Sequence, residues 1–267
     1  MIPLNLEQIQ EKVLHILLEF VEFCKDNNLR YYLAGGTLLG AIRHQGFIPW
    51  DEDADVCMPR PDYDRFLRIA PPYFIARGLL VQNGFSSSLD VSFPYCKIYD
   101  LKSRATSIYR TDINYLGIDI FPVDGVPDDP GEAKRLFNQV SFWKRILLLT
   151  SARIGEGRTL FRKIFKVFPK LFADLIGARR CLKHLQVLSS QYSYDTSNYV
   201  AAITGSYNVK EILPKKDYEK DVIVTFEGHK LSAFSCWDTY LTNIYGNYMK
   251  MPDETEKKKF YSSVYYG

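Results

Sequence analysis

Asp51, Asp53 and Asp55 stand at alternate positions shortly after a Gly35-Gly36-Thr37 turn. Alternate residues of an extended strand face one side, so this spacing predicts three carboxylates pointing together. Acids grouped in this way repel one another unless a cation sits between them. Hard divalent ions, Mg2+ above all, prefer oxygen ligands and bridge readily to substrate phosphates. Upstream, Tyr31–Ala34 reads as a short apolar strand, and Gly35-Gly36 allows a turn where the backbone can approach a ligand. The apolar run Thr37–Ile42 opens a helix, with Thr37 at the N-cap position. A helix N-terminus offers free N–H groups and the positive end of a dipole, which suits phosphate. A phosphate cradle beside metal-binding acids points to phosphoryl or nucleotidyl transfer.

Two further stretches carry chemistry. Tyr115–Asp124 is apolar enough for a central strand, yet it holds Asp119 between Ile118 and Ile120. A carboxylate there is costly to bury unless it is paired or metal-bound. Asp124, followed by Gly125, reads as a turn residue. In Phe93–Tyr99 the alternation places Lys97 and Tyr99 on one face, with Pro94 marking an edge or a strand start. Taken alone, Lys97 reads as a solvated strand residue. Arg43 follows the glycine turn closely and suits either a bidentate phosphate clamp or a structural salt bridge. His44 is near enough to join the same site, without a definable role. Trp50 fits packing of the acidic turn better than a cation–π contact.

In this order, Gly-Gly-Thr, a spacer and Asp53-Ala54-Asp55-Val56 match the pattern of the nucleotidyltransferase superfamily. The local spelling from Leu33 to His44, followed by Gly46-Phe-Ile-Pro-Trp-Asp-Glu-Asp-Ala-Asp-Val56, closely resembles the LicD family of phosphocholine transferases. The fukutin-related ribitol-phosphate transferases share that pattern. This specific core covers about a tenth of the chain, with weaker echoes at Gly117–Pro122 and from Leu241 through Tyr248. Glu52 departs from the Asp of many members but keeps the charge.

The resemblance implies an enzyme that moves phosphocholine from CDP-choline to a sugar hydroxyl, with CMP leaving. The acceptor it implies is a lipid-linked cell-surface glycan, such as a lipopolysaccharide or teichoic acid precursor. In that reading Gly35, Gly36 and Thr37 hold the donor diphosphate, with Arg43, His44 and Lys97 as further donor contacts. Asp53 and Asp55 bind one or two Mg2+ ions, for which Mn2+ can substitute. Asp119 completes the metal site and takes the acceptor's proton, while Asp51 is either a further ligand or a partner orienting the ligands. The same residues leave open transfer of another phospho-alditol, or of a nucleoside monophosphate with loss of pyrophosphate. A non-catalytic nucleotide- or glycan-binding protein would have little need of clustered carboxylates.

The elements that must position these groups are legible in outline. Residues 6–28 form an amphipathic helix, with Asn5 and Gln8 as a capping box. Pro61 starts a helix that ends at Pro71-Pro72, and Leu79–Gln82 is a short strand. From Pro130 the pattern turns helical over 131–150 and 158–190, with a break at Ser151–Gly157. The segment 158–172 is basic and rich in Phe and Leu. It fits a cap over the core, or a surface that meets the anionic inner membrane face. Pro169 interrupts any long helix there. Residues 198–204 read as a strand, Val222–Phe226 and His229–Phe234 as a hairpin around Glu227-Gly228, and Trp237–Tyr245 as a final helix closed by Gly246. The tail 253–259 is charged and reads as mobile.

The fold expectation is therefore α+β, a nucleotidyltransferase-like mixed sheet core flanked by helices with a helical insertion. Residues 1–129 give the catalytic core, 130–195 the basic insertion or cap, and 196–267 the strands and helix that complete the core. The 267 residues are 46% hydrophobic, enough for a real core. A net charge of +3 argues against a dedicated nucleic-acid binder. Five scattered cysteines with no Cys-x-x-Cys read as free thiols of a reducing compartment. The first residues do not spell a signal peptide, and no run approaches the ~18–20 apolar residues of a membrane span. The expected location is cytoplasmic, with peripheral membrane contact through 158–172.

Overall fold

A computed structural model describes residues 2–85, 93–107, 115–152, 167–253 and 262–267. Strand β7 (Gly117–Val126) is the axis of the main sheet, and its apolar alternation explains why: Ile118 and Ile120 are fully buried. The sheet runs β2 (Tyr32–Leu33), β3 (Asp55–Pro59), β7, β5 (Cys96–Asp100), β4 (Leu79–Asn83). The β3–β7 pair is parallel and the other pairs along that path are antiparallel. Beyond its Asp119 end, β7 also pairs with β8 (Tyr199–Ala201), which pairs with β9 (Leu213–Pro214). A separate three-stranded sheet joins β1 (Ile2–Pro3), β12 (Ser262–Tyr266) and β6 (Ser103–Ser107). The remaining pair is the hairpin of β10 (Asp221–Phe226) and β11 (His229–Phe234). Its turn uses positive φ at Glu227 and Gly228, as a tight hairpin requires.

Eight α-helices surround these strands among the described residues. The first, α1 (Leu6–Asp26), carries the expected capping box and buries Ile9, Val13, Ile16, Leu17, Phe20 and Phe23. The short α2 (Gly35–His44) connects the glycine turn to the acidic loop. α3 (Arg60–Ile75) departs from expectation by continuing through Pro71 and Pro72. Phe74, one turn beyond Ala70, lies fully buried against Phe23 with ring centroids 5.4 Å apart, so packing outweighs the lost N–H groups.

α4 (Pro130–Thr150), α5 (Val167–Ile176) and α6 (Ala178–Ser189) pack together around a second core containing Leu136, Phe137, Val140, Cys181 and Leu185. Pro169 lies near the start of the described part of α5, and Gly177, φ +80°, separates α5 from α6. Residues 153–166, including the basic part of 158–172, and the tail beyond Asp253 up to residue 261 lie outside the described residues. The chain closes with α7 (Lys215–Tyr218) and α8 (Trp237–Tyr245), the latter ended by Gly246 at φ +68°. All five cysteines are free thiols, and no described helix is long and apolar enough to cross a membrane.

Candidate active site

Strand register assembles the chemistry. The parallel β3–β7 ladder sets Asp55 beside Asp119, and the antiparallel β5–β7 ladder sets Lys97 across from Asp119 on the other side. Lys97 Nζ lies 2.6 Å from Asp119 Oδ1, and Tyr95 hydrogen-bonds the same carboxylate. Lys97 is therefore no solvated strand residue. Burial pulls its ammonium down, but Asp119 together with Tyr95 and Tyr99 outweighs this and raises it well above its ordinary value.

The glycine turn packs against the acids. Gly35 adopts φ +51°, and a methyl group there would stand 2.8 Å from Asp55 Oδ2. At Gly36 a methyl group would stand 2.8 Å from Asp51 Oδ2. The absence of side chains lets the N-terminus of α2 abut both carboxylates, which its dipole favours. Thr37 is not the N-cap. The cap position is Ala34, without a side-chain bond, and Thr37 Oγ1 instead accepts the Asp55 N–H at 2.7 Å. The Gly35 N–H donates to the Tyr240 hydroxyl at 3.2 Å.

The three alternating aspartates do not share one strand. Strand pairing begins at Asp55, and residues 51–54 form a loop. Asp51 is fixed by its N–H to the Ile48 carbonyl at 2.9 Å and by Gln10 Nε2 donating to its carbonyl at 2.8 Å. Period-two alternation requires a ladder, and β7 reaches back only to Ala54, whose carbonyl accepts the Asp119 N–H at 2.9 Å, while strand β3 starts at Asp55. The loop still gathers the charge. Burial, then the negative charges of Asp119, Asp53 and Asp51, hold the Asp55 carboxyl well above its usual range, with Lys97 opposing.

Asp53, Asp55, Asp119 and Gly35 are among the residues lining a cavity of about 260 Å3. Its other walls come from elements distant in sequence: Tyr95, Tyr218, Phe234 and Tyr240, and the segment Gly205–Tyr207 with Glu211. Glu211, in a short 3-10 helix (Asn208–Glu211), was missed by sequence reasoning because Tyr-Asn-Val-Lys-Glu carries no motif. Tyr240 had one faint signal, the family echo that runs on from Leu241 within α8.

Arg43 and His44 are not among the cavity-lining residues. Arg43 Nη1 donates to the Tyr248 carbonyl at 2.7 Å, and its Nε donates to His44 Nε2 at 2.9 Å. Burial and then Arg43 lower His44, matching a neutral ring that accepts this bond. His44 also meets Trp50 edge to face at 6.3 Å, and Trp50 packs on the core. Asp124 is not a turn residue. It is fully buried inside β7, where Arg60 Nε and Nη2 donate to its two oxygens at 2.6 and 2.7 Å.

Among the described residues no group of three or more His, Cys, Asp or Glu side chains forms a ready-made metal cage. The donor set nevertheless suits Mg2+, which takes one or two carboxylates and completes its shell with water and substrate phosphate. Asp53 and Asp55 supply only oxygen, and a divalent cation would offset the repulsion that raises Asp55.

A family model described as LicD/FKTN/FKRP, nucleotidyltransferase domain, matches residues 28–131, which contain the glycine turn, the acids and β7. Over 96% of its length the chain is 30% identical to "Lipopolysaccharide cholinephosphotransferase LicD" of Haemophilus influenzae, covering 95% of that protein. An uncharacterized protein of Rickettsia prowazekii is 36% identical over 76 residues, 28% of this chain and 26% of its own length.

Proposed function

Because the chain belongs to the LicD family, we propose that it transfers phosphocholine from CDP-choline to a sugar hydroxyl of a cell-surface glycan precursor, releasing CMP. The name of the Haemophilus relative supports phosphocholine as the group moved and lipopolysaccharide as the kind of acceptor. The observation that carries the reading is the convergence of Asp53, Asp55 and Asp119 on one cavity beside the α2 N-terminus. The mixed sheet serves here as a nucleotidyltransferase-like core, 1–129 and 196–267, with 130–195 as a helical cap.

In this reading Asp53 and Asp55, with Asp51 as a further ligand or support, would hold one or two Mg2+ ions. Mg2+, or Mn2+ in its place, supplies charge neutralisation at the attacked phosphorus and the departing CMP. The first-turn amides of α2 that follow Gly35 face the diphosphate, and Lys97 offers its positive charge to a phosphate oxygen. Asp119 orients the acceptor hydroxyl and takes its proton. The acceptor oxygen then bonds to the phosphocholine phosphorus as the bond to CMP breaks. The enzyme works in the cytoplasm, where the exposed Phe168, Leu171, Phe172 and Leu175 of α5 and the basic stretch before them meet the membrane carrying a lipid-linked acceptor.

The test is CMP release from CDP-choline in the presence of Mg2+, with and without a glycolipid acceptor extract, for wild type and Asp53→Ala. Acceptor-dependent release by wild type, lost in a folded Asp53→Ala, is the expected result. Binding of CDP-choline with no turnover on any acceptor would overturn it.

A further inference from the structure

The aromatic part of the cavity lining, its aromatic pole, differs from the aspartates in kind. Tyr218, Phe234 and Tyr240 form a continuous aromatic wall, with centroids 5.4 Å apart for Tyr218–Phe234 and 5.2 Å for Phe234–Tyr240. Tyr207 joins them, and Glu211 supplies a carboxylate that is only 5% exposed. The hydroxyls of the three tyrosines already have protein partners. Tyr218 meets Cys57 Sγ at 3.6 Å, Tyr240 accepts the Gly35 N–H, and Tyr207 donates to Tyr245 at 2.8 Å. The wall therefore offers ring surface more than hydrogen bonds.

Aromatic rings around one buried negative charge recognise a cation that needs no hydrogen-bond acceptors. A polyhydroxylated group would find too few free polar partners in the same place. We infer that this pole, walled by Tyr207, Tyr218, Phe234 and Tyr240 and closed by Glu211, seats a quaternary ammonium, the trimethylammonium end of the donor. The identity of that cation as choline rests on the transfer reading above.

Three observations support the assignment. The Glu211 side chain is incompletely compensated. Burial raises it to about 7, against the Tyr207 N–H that donates to Oε1 at 2.8 Å and the charge of Lys144. Lys144 Nζ itself is bonded to the Gly205 carbonyl. A resident cation would restore the balance. Next, Tyr240 links the two groups of residues, bonded to Gly35 beside Asp55 and within electrostatic reach of Glu211. A head group at Glu211 thus leaves its phosphate toward the aspartates. Finally, about 260 Å3 is less than the roughly 300–1,000 Å3 that encloses a whole drug-sized ligand. That volume suits one end of the donor.

The experiment titrates the metal-free protein with phosphocholine, tetramethylammonium chloride and phosphoethanolamine, followed by NMR, for wild type, Glu211→Gln, Tyr207→Leu and Tyr207→Phe. Glu211→Gln keeps the oxygen that accepts the Tyr207 N–H, so the local fold has a means to survive. Wild type should bind the two quaternary ligands more tightly than phosphoethanolamine. Glu211→Gln and Tyr207→Leu should each weaken them at least tenfold, and Tyr207→Phe should weaken them less than Tyr207→Leu. Unchanged binding in folded Glu211→Gln and Tyr207→Leu would overturn the subsite, even if wild type releases CMP from CDP-choline. Charge- and ring-dependent binding of tetramethylammonium without CMP release would uphold the subsite and remove only the transfer reading.

Discussion

Asp119 and Asp124 sit on one strand and face opposite fates. Asp124 is sealed in the core, and Arg60 meets both of its oxygens in a bidentate pair. Asp119 is partly exposed to the cavity, takes bonds from Lys97 and Tyr95, and shares its surroundings with Asp55 and Asp53. At Asp124 a buried negative charge meets a delocalised positive charge, with the half-exposed Asp64 on the far side of Arg60. At Asp119, carboxylates outnumber the ammonium; burial raises the carboxyls of both Asp55 and Asp124, and at Asp55 the charges of Asp119, Asp53 and Asp51 add to it. A balanced, dry pair stabilises an arrangement. An excess of acid opening on a cavity suits the proposed binding of a cation and a phosphate.

The largest expected effect separates the two ends by activity. Asp119→Asn should lower turnover by at least about 10³-fold, equivalent to about 4 kcal/mol of transition-state stabilisation. Its thermal midpoint should stay near that of wild type, as circular dichroism can check. Asp124→Ala should do the reverse. Leaving Arg60 buried without its partner costs about 3–5 kcal/mol of stability in a urea titration, while the molecules still folded retain turnover within a few-fold of wild type. A stable Asp124→Ala protein without activity would erase the contrast. A smaller effect sharpens it. At a hundredfold excess over its dissociation constant, Mg2+ should stabilise wild type by about 2.7 kcal/mol. That gain should vanish in Asp55→Asn and persist in Asp64→Asn, which alters a half-exposed neighbour of Arg60 instead.

How much of this was legible depended on how local each signal was. The capping box of Asn5 and Gln8, the Glu227-Gly228 turn and the buried face of α1 are written in residues a few positions apart, and each appears as expected. Asp119 was legible because a carboxylate is conspicuous between isoleucines. Asp124 was misread because Asp-Gly has a strong local meaning as a turn, whereas its partner Arg60 comes from the start of α3. Asp51 and Thr37 were misplaced for a related reason. Strand and helix limits are set by which neighbours pair, and alternation alone does not say where the β3 ladder begins. Glu211 and Tyr240 reach the cavity only through tertiary packing, so no spacing announces them. The helical character after Pro130 was readable, and α4 ends at Thr150 where the break from Ser151 was expected; the separation at Gly177 was not read.

The most direct measurement uses a donor labelled in both the choline methyls and the cytidine, incubated with Mg2+ and a lipopolysaccharide acceptor. Choline label should enter the acceptor in equal amount to the free CMP formed by wild type, and neither should appear with folded Asp119→Asn. Cytidine label in the acceptor, or undiminished choline transfer by Asp119→Asn, would contradict the assignment of this end of β7 to phosphocholine transfer.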